Sequence, residues 1–395
     1  MKFACIGGGP AGLYLSILLK LLDKNCDVSV FERNAEGHTE GWGIVFWNNL
    51  VRQISDSDPV SAATILDNAR TWGDQVLHFD GRTTTHRGRG GYSIGRKRFL
   101  EILTERARQL GVELHYMTDV RDLDRFETAD VVVAADGAGS LIRDARADAF
   151  GTKIRRGQNK YIWLGSTKVL EAFTFSIVST PAGRIWLHGY PHGSDMSTCV
   201  VECSPETWQG LGFDSLDVDA AVRRLEGIFA DILGGQKLLH GGASWHNFRT
   251  VSNETWRQGH IVLAGDAAHT AHFSIGSGTA LAMEDAIAMA RQLRAHSDLG
   301  QALAAYERER KRALRQIQSD AHFSALWFET IERYLGLPDR DIFRLLLLRR
   351  SPLLARMPPR LYGRLHRSVE SVPALKSIQG WIVPRARAAY SRWRS

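Results

Sequence analysis

The stretch CIGGGPAGLYL, residues 5–15, decides the fold of this chain. It begins inside the short β-rich run KFACI and continues into LYLSILLKLL, which has helical composition. Gly7, Gly9 and Gly12 form a GxGxxG pattern between the two, and Glu32 ends the next strand-like run, DVSVFE. In such units glycines allow a tight turn, a helix N-terminus faces a pyrophosphate, and the acid accepts ribose hydroxyl groups. Strand, turn, helix, strand and acid together predict a dinucleotide-binding unit.

The composition of the 395 residues, 44% hydrophobic and 24% charged, is typical of a globular protein. No apolar run reaches the roughly 20 residues that span a bilayer, and the N-terminus does not read as a secretory leader. We therefore expect a cytoplasmic protein without a membrane partner. The four cysteines show no CxxC pair or metal-ligand spacing, which predicts reduced thiols and no metal site. Cys199 and Cys203 are expected on one face of a strand.

The formal net charge of +7 is concentrated in one segment. Residues 340–395 contain thirteen Lys and Arg but only two acidic residues, so the rest of the chain is slightly acidic. Three interpretations compete: a solvated helical face, a surface for an anionic ligand or membrane, and a nucleic-acid patch. The solvated face is the simplest, and a phosphate-bearing substrate comes second. Nucleic acid is disfavoured because no aromatic-interleaved basic module or zinc pattern accompanies the charge.

Two later segments favour FAD over NAD as the bound cofactor. DVVVAADGAGSLIR (130–143) and GHIVLAGDAAHTAHFSIGSGTALAMEDAIAMA (259–290) each contain a strand that delivers an aspartate, Asp136 or Asp266, into a turn. There a carboxylate can accept hydrogen bonds from a sugar or ribityl chain. A helix is expected from about Thr279, and its N-terminus would stabilise an isoalloxazine that becomes anionic on reduction.

These three segments, in this order, resemble the FAD-dependent aromatic hydroxylases of the para-hydroxybenzoate hydroxylase type, which are single-component flavoprotein monooxygenases. Further stretches resemble the salicylyl-CoA 5-hydroxylase and 2-aminobenzoyl-CoA monooxygenase group, with the tryptophan hydroxylase of violacein assembly more distant. The resemblance runs from Met1 to about Phe328. Its most informative parts are EGWGIVFWNN (40–49), NKYIWLGSTKVLEAFTFSIV (159–178), VVECSPETW (200–208) and ASWHNFRTV (243–251).

The resemblance implies an α/β fold: a Rossmann-like FAD-binding module of the glutathione reductase type, with an inserted antiparallel β-sheet substrate domain and a helical C-terminal region. We expect the FAD-binding domain in 1–70, 94–150 and 246–330, the substrate domain in 71–93 and 151–245, and a basic helical region in 331–395. Period-two alternation in the middle of the chain supports the sheet. No internal repeat is present in the sequence.

The resemblance also assigns the cofactor-binding residues. Arg96 matches an arginine at a helix start that such enzymes aim at the flavin phosphates, although Arg98 is an alternative. Asp136 matches the second dinucleotide motif, and Asp266 the ribityl-binding carboxylate. The full predicted set is Gly7, Gly9, Gly12, Glu32, Arg33, Gly43, Arg96, Asp136, Gly137, Gly265, Asp266, Gly276 and Gly278.

A sheet laid over a dinucleotide-binding module would form a closed substrate chamber. Where most aromatic hydroxylases place a proline near the flavin, this chain has His272 and Phe273, which become the candidate catalytic neighbourhood. His246 and His269 could act as acids or bases, but lone histidines are more often structural. Candidate chamber walls are Trp42, Phe46, Trp163, Phe175, Trp186, His188 and Tyr190.

The implied reaction is hydroxylation of an aromatic ring para to an activating hydroxyl. It would use FAD, a transiently bound NADH or NADPH, and O2, through a flavin C4a-hydroperoxide. The most specific expectation is conversion of salicylyl-CoA to gentisyl-CoA by a monomer or homodimer. Alternatives are a hydroxylase of a free aromatic acid, an aminobenzoyl-CoA or an indole, a flavin-dependent reductase, and a non-catalytic flavin-binding or nucleic-acid-binding regulator. A halogenase is disfavoured because its WxWxIP stretch has only the distant counterpart WIVP, residues 381–384.

Overall fold

The computed structural model describes residues 1–371. Its strands are β1 (Lys2–Ile6), β2 (Asp27–Phe31), β3 (Gly43–Phe46), β4 (Arg70–Phe79), β5 (Arg82–Gly95), β6 (Glu113–His115), β7 (Val131–Ala134), β8 (Lys153–Ser166), β9 (Phe173–Thr180), β10 (Gly183–Pro191), β11 (Ser197–Cys203), β12 (Leu238–Leu239), β13 (His246–Ser252), β14 (Arg257–Gln258) and β15 (Ile261–Leu263).

The helices alternate with these strands in the first part of the chain and follow one another without interruption after β15. They are α1 (Pro10–Leu22), α2 (Asn48–Ser57), α3 (Pro59–Asp67), α4 (Arg96–Gln109), α5 (Leu141–Asp144), α6 (Ala147–Phe150), α7 (Pro205–Gly210), α8 (Val218–Ile228), α9 (Ala230–Leu233), α10 (Gly278–Ala295), α11 (Leu299–Glu329), α12 (Glu332–Leu335), α13 (Asp339–Leu347), α14 (Pro352–Arg356) and α15 (Pro359–Ser371).

The first sheet has the strand order β14-β15-β7-β1-β2-β6. All its neighbours are parallel except β14 and β15. The four residues of β7 are fully buried, as expected for a parallel strand covered on both faces. The chain passes from β1 to β2 on one side and later adds β7 on the other. Sheets of this kind bind ligands in the crevice at the carboxyl ends of the strands, where the order reverses.

The second sheet has the order β12-β8-β11-β10-β9-β4-β5-β3, with β13 also paired to β8. It is antiparallel except for the parallel pair β4 and β9, so the predicted antiparallel sheet is correct apart from this ladder. Its faces follow the period of two: Ile185 and Leu187 pack under α8, whereas Trp186 faces the C-terminal helices. Cys199 and Cys203 lie together on the α8 side, and the four cysteines are free thiols.

Two strands from the expected FAD-binding segments pair with the second sheet. The sequence analysis placed β3 and β13 in the FAD-binding segments, but β3 pairs with β5 and β13 with β8, so both belong to the second sheet by hydrogen bonding. The reason is that a ladder partner distant in sequence, rather than the neighbouring motif, decides which sheet a strand joins. The domain bounds stay a prediction.

The C-terminal helices cover one face of the second sheet. Trp327 and Phe328 at the end of α11, followed by Tyr334 and Phe343, pack in one apolar core with Trp186 of β10. The expected solvated face is therefore only part of this region, since Leu345, Leu346 and Leu354 are buried with these aromatics, whereas Leu353, Leu361 and Leu365 are exposed. Residues 372–395 of the predicted basic region, with the WIVP stretch, lie outside the described residues. Within residues 1–371, no helix combines the length and the apolar composition that crossing a membrane requires.

Candidate functional site

Three glycines shape the turn between β1 and α1. A Cβ atom at Gly7, where φ is +112°, would lie 2.3 Å from the carbonyl oxygen of Ala135, and one at Gly12 would lie 2.1 Å from that of Gly7. A Cβ at Gly9 would meet no atom within 4 Å. Gly9 precedes α1 and provides no side-chain cap, so the free amides of the helix N-terminus face open space. This arrangement fits a diphosphate.

Glu32 is directed at the same turn. Its Oε2 accepts a hydrogen bond from the Gly8 amide at 2.8 Å, and its Oε1 accepts one from the Asn34 amide at 2.8 Å. Each carboxylate oxygen retains a second lone pair, so the group can still accept from a ribose hydroxyl. The predicted neighbour Arg33 is exposed, and its role in cofactor binding stays a prediction.

Asp136 follows β7 and carries an unsatisfied acceptor. Its Oδ2 accepts from the Leu141 amide at 2.9 Å, whereas its Oδ1 is buried and has no hydrogen-bond partner among residues 1–371. Burial raises the pKa of this carboxyl. A buried acceptor without a donor is costly, and a ligand hydroxyl would satisfy it. Gly137 adopts φ +84°, a left-handed conformation that favours glycine at this turn.

Asp266 lies at the carboxyl end of β15, in the short turn Gly265–Ala267. Its side chain is accessible, while Gly265 and Ala267 on either side of it are buried. Surrounding protein raises the pKa of Asp266, and the nearby His269 and Arg96 oppose that shift. Asp266 therefore lines a hollow in the protein, where it can accept hydrogen bonds from a ligand.

Arg96, rather than Arg98, points toward Asp266. Burial lowers the pKa of Arg96, while the carboxylates of Asp266 and Glu40 act in the opposite direction, and its Nε donates to Thr39 Oγ1 at 2.9 Å. Arg98 instead contacts Glu101 and Glu105 of its own helix, α4, and Asn68 at the end of α3. The structure thus favours the first of the two predicted arginines.

A buried ionic cluster behind this turn was missed by the sequence analysis. The Oδ2 of Asp285 accepts from the Gly265 amide and from His269 Nε2, both at 2.8 Å, and its Oδ1 accepts from Arg310 Nε at 2.6 Å. Burial raises the pKa of Asp285, but His269 and Arg310 outweigh burial and lower it. The available signal was an acid, in the run MEDA, on a helix otherwise lined with small apolar residues. His269 is held in this cluster, in keeping with the structural interpretation.

A cleft of about 530 Å³ opens beside the loop that follows the Gly265–Asp266 turn. Phe175 and Gly276 are the predicted site residues that line it. Three further aromatic residues of the lining, Trp47, Phe173 and Tyr362, were not among the predicted site residues. The full lining is Trp47, Gln75, Gly90, Phe173, Phe175, Ser274, Ile275, Gly276, Asp320, Leu347, Leu348, Arg349, Arg350, Ser351, Tyr362 and His366.

Tyr190 supports this aromatic wall from behind. Its ring stacks on Phe173 at 5.6 Å between centroids, and its hydroxyl donates to the Gly43 carbonyl at 2.7 Å. Gly43 itself is closely packed, because a Cβ there would lie 2.5 Å from His192 Cβ. A Cβ at Gly276 would likewise lie 2.7 Å from Val45. These contacts show that β3 packs closely against the loop that contains Gly276. Gly278 begins α10, one residue before the expected start.

The prediction that Phe46 lines the chamber is wrong. Phe46 is 1% exposed, stacks on Tyr92 at 5.5 Å, and belongs to the core of the first sheet. Successive residues of a strand point to opposite faces, so Val45 instead packs with the aromatic group of Trp72 and Tyr190.

Trp42 and Trp163 do not line the cleft, and each packs against a glycine of the other's segment. The Trp163 ring would be 2.6 Å from a Cβ at Gly41, and the Trp42 ring 2.4 Å from one at Gly165. The two indoles therefore fill the space that glycines leave around the loop before β3. A substrate contact for either side chain stays a prediction.

Trp186 and His188 do not line this cleft, and their assignment as chamber walls stays a prediction. Both contact the buried carboxylate of Glu202: Trp186 Nε1 donates at 3.1 Å, and His188 Nε2 lies 3.3 Å away. Asn159 donates to the other oxygen at 2.8 Å. Burial raises the pKa of Glu202, but the His188 contact and nearby His272 outweigh it and lower the pKa. The pleat places these side chains toward α11, where Trp186 stacks on Phe328.

His272 and Phe273 begin the loop that borders the cleft. Burial lowers the pKa of His272 to about 4, and its Nδ1 lies 2.8 Å from Ser274 Oγ. The imidazole is therefore neutral near pH 7. Phe273 packs on Tyr161 at 4.8 Å and against His188 at 5.7 Å. Neither side chain lines the described cleft, and a catalytic role for them stays a prediction.

The glycine turn, the two aspartate-bearing turns and the aromatic cleft define the class of protein: a flavoprotein with a glutathione reductase type of cofactor module. A family model described as an FAD binding domain matches residues 1–321, and the chain belongs to this family. The predicted FAD cofactor is thereby confirmed, and the residues described above fit it.

Two curated relatives and one solved structure make the comparison more specific. The chain is 38% identical over 344 residues to salicyloyl-CoA 5-hydroxylase of Streptomyces sp., covering 85% of this chain and 66% of that protein, just under two thirds. It is 35% identical to 3-hydroxy-4-methyl-anthranilyl-[aryl-carrier protein] 5-monooxygenase of Streptosporangium sibiricum, covering 88% and 92%. A cysteine-to-alanine variant of 2-methyl-3-hydroxypyridine-5-carboxylic acid oxygenase shares the fold, with a TM-score of 0.69, 20% identity, and coverage of 91% and 97%. The resemblance to the FAD-dependent aromatic hydroxylases is confirmed.

Proposed function

We propose that this chain hydroxylates an aromatic ring para to an activating hydroxyl, using FAD, NADH or NADPH, and O2. We further propose that the ring is presented as a thioester, with salicylyl-CoA as the leading substrate, and that the protein works in the cytoplasm. The observation that carries the proposal is the aromatic cleft bordered by Ser274–Gly276, the loop that follows the Asp266 turn. We assign the cleft to the substrate ring because it lies beside this loop.

The chain would hold the cofactor with groups spread over the first sheet. The α1 N-terminus and Arg96 would bind the diphosphate, Glu32 the ribose, and Asp266 the ribityl hydroxyls. When bound, FAD would accept hydride from the nicotinamide and activate O2. The protein itself supplies position and the exclusion of water.

The substrate ring would lie against Phe173, Phe175 and Trp47. Aromatic pairs favour offset or edge-to-face contact, so these side chains can orient a flat ring without fixing its substituents. Because burial lowers the pKa of His272 to about 4, its imidazole is a weak proton acceptor. Deprotonation of the ring hydroxyl is therefore not assigned to this imidazole.

Two features support a thioester over a free acid. The cleft has the size of a site for a drug-sized ligand and extends from the aromatic wall to residues of the C-terminal region, Arg350 and His366 among them. In addition, one relative is named for a CoA thioester and the other for an aryl-carrier protein. The two carriers share a phosphopantetheine arm, which is long and anionic.

The test is NADH oxidation by the purified FAD-loaded chain with salicylyl-CoA and with an equal concentration of free salicylate. The proposal expects acceleration by the thioester and a hydroxylated product. Equal acceleration by the free acid would reject the thioester and leave ring hydroxylation standing. A reductase would oxidise NADH without hydroxylated product.

A further inference from the structure

Arg349 connects the C-terminal helices to the loop beside the cleft. It follows α13, beyond the residues that the family model matches, and is 8% exposed. Its Nη2 donates to the Ser274 carbonyl at 2.6 Å and its Nε to Ser324 Oγ at 2.9 Å. A third bond runs from Nη1 to the Leu346 carbonyl at 2.8 Å. One planar group thus fixes the loop, α11 and α13 relative to one another.

The contact continues into the loop through two hydroxyls. Ser324 is fully buried, and its Oγ lies 2.7 Å from Ser274 Oγ, which in turn lies 2.8 Å from His272 Nδ1. The adjacent Arg350 donates to the Ile275 carbonyl at 3.3 Å. Two consecutive arginines therefore bind two consecutive carbonyls of the loop.

Arg349 is also part of the aromatic wall. Its guanidinium lies 5.5 Å from the ring centroid of Phe175, which lines the cleft, and 5.8 Å from that of Phe328. Hydrogen bonds from a charged donor are stronger than neutral ones, and a buried cation over aromatic faces gains further. The guanidinium is therefore an anchor for the loop rather than a solvated surface charge.

We propose that Arg349 is a positioning residue that fixes the loop His272–Gly276, so that the C-terminal helices set the geometry of the cleft. Without the guanidinium, the buried Ser274 carbonyl and Ser324 hydroxyl lose a donor, and the loop opens more often. Local opening of this kind exposes main-chain amides to solvent exchange.

The test is hydrogen–deuterium exchange of the full FAD-loaded chain, comparing Arg349→Met with Arg340→Met. Arg340 is exposed and lies in the same region, so it controls for loss of one charge. We expect exchange in peptides covering residues 272–278 to accelerate by about tenfold in Arg349→Met, the size of one lost charged hydrogen bond. Rates equal to those of Arg340→Met would overturn the proposal.

A second, milder variant tests the proposal if Arg349→Met fails to fold. Ser324→Ala removes the hydroxyl between Arg349 and Ser274 while leaving the guanidinium in place. We expect the same loop peptides to exchange faster, by a smaller factor, with α1 peptides unchanged. Unchanged loop exchange in Ser324→Ala would overturn the proposal as well. Because no substrate is added, this result is independent of the proposed hydroxylase activity.

Discussion

The carboxylate of Asp285 accepts a hydrogen bond from the main-chain amide of Gly265 at 2.8 Å. The turn that presents Asp266 is therefore held by an acid twenty residues further along, in α10. Arg310 of α11 neutralises that acid from the other side. The position of Asp266, the proposed ribityl-binding carboxylate, thus depends on a buried ion pair behind the turn.

We expect Asp285→Asn to lower the free energy of unfolding by about 1–3 kcal/mol, because it removes one of the two carboxylates that pair with buried Arg310 and leaves only Glu284. FAD affinity should fall in the same variant, since the Gly265 turn loses its anchor. Chemical denaturation and fluorescence titration with FAD measure the two effects. Wild-type values for both would show that the pair does not hold the turn.

Substitutions of two glycines in the first turn should distinguish effects on stability from effects on FAD binding. Gly12→Ala places a Cβ against the Gly7 carbonyl, so we expect both stability and FAD binding to fall, the former by about 1–3 kcal/mol. Gly9→Ala meets only open space and should change stability by less than about 0.5 kcal/mol while weakening FAD. Thermal unfolding of the apoprotein and FAD titration check this contrast. Full FAD affinity in Gly9→Ala would place the diphosphate elsewhere.

The cofactor motifs could be predicted from the sequence because each is local. Gly7, Glu32, Asp136 and Asp266 each follow a strand of strong apolar character, and parallel strands bring their carboxyl ends to one edge. The structural role of Asp285 could not be predicted, since it depends on an ion pair with Arg310, which lies on another helix. Such pairings depend on packing between elements rather than on sequence spacing.

Phe173 and Trp186 should respond differently to substitution. Phe173→Leu removes an aromatic face of the cleft while keeping an apolar side chain, and we expect substrate binding to weaken by up to about tenfold with a loss of stability below about 1.5 kcal/mol. Trp186→Phe removes a donor to buried Glu202 and should cost about 1–3 kcal/mol of stability with substrate binding unchanged. Flavin absorbance during titration with the thioester gives the affinity, and denaturation gives the stability. Weaker substrate binding at unchanged stability in Trp186→Phe would indicate that Trp186 lines the substrate chamber.

The substrate side was harder to predict than the cofactor side. The aromatic residues of the middle strands were recognised as candidates, but which face each occupies depends on strand register. In β3 the pleat turns Phe46 inward, and in β10 it turns Trp186 toward α11. The contribution of Arg349 and its neighbours to the cleft had no signal at all, because a basic helix on its own is typical of a solvated surface.

His192 gives the fold a measurable pH dependence. It is buried beside Thr198, and burial lowers its pKa to about 4 from an ordinary value of 6.5. Above pH 6.5 both folded and unfolded states hold it neutral. As the pH falls from 6.5 to 4 the unfolded state binds the proton first, so stability is lost by up to about 1.4 kcal/mol per pH unit.

We therefore expect His192→Gln to flatten the decline in unfolding free energy between pH 6.5 and 4. Its amide can still hydrogen-bond Thr198, so stability near pH 7 should change little. Denaturation curves at four or five pH values compare the slopes. Parallel declines for wild type and variant would mean that His192 is protonated in the folded protein.

The central claim is that this chain inserts an oxygen atom from O2 into the ring of an aromatic thioester. The most direct measurement is the mass of the product formed from salicylyl-CoA and NADH under heavy-isotope-labelled dioxygen, with the position of the label read by fragmentation. We expect one labelled oxygen on the ring, para to the existing hydroxyl, in amounts that match the NADH consumed. NADH consumption that yields only labelled hydrogen peroxide and unchanged thioester would contradict it.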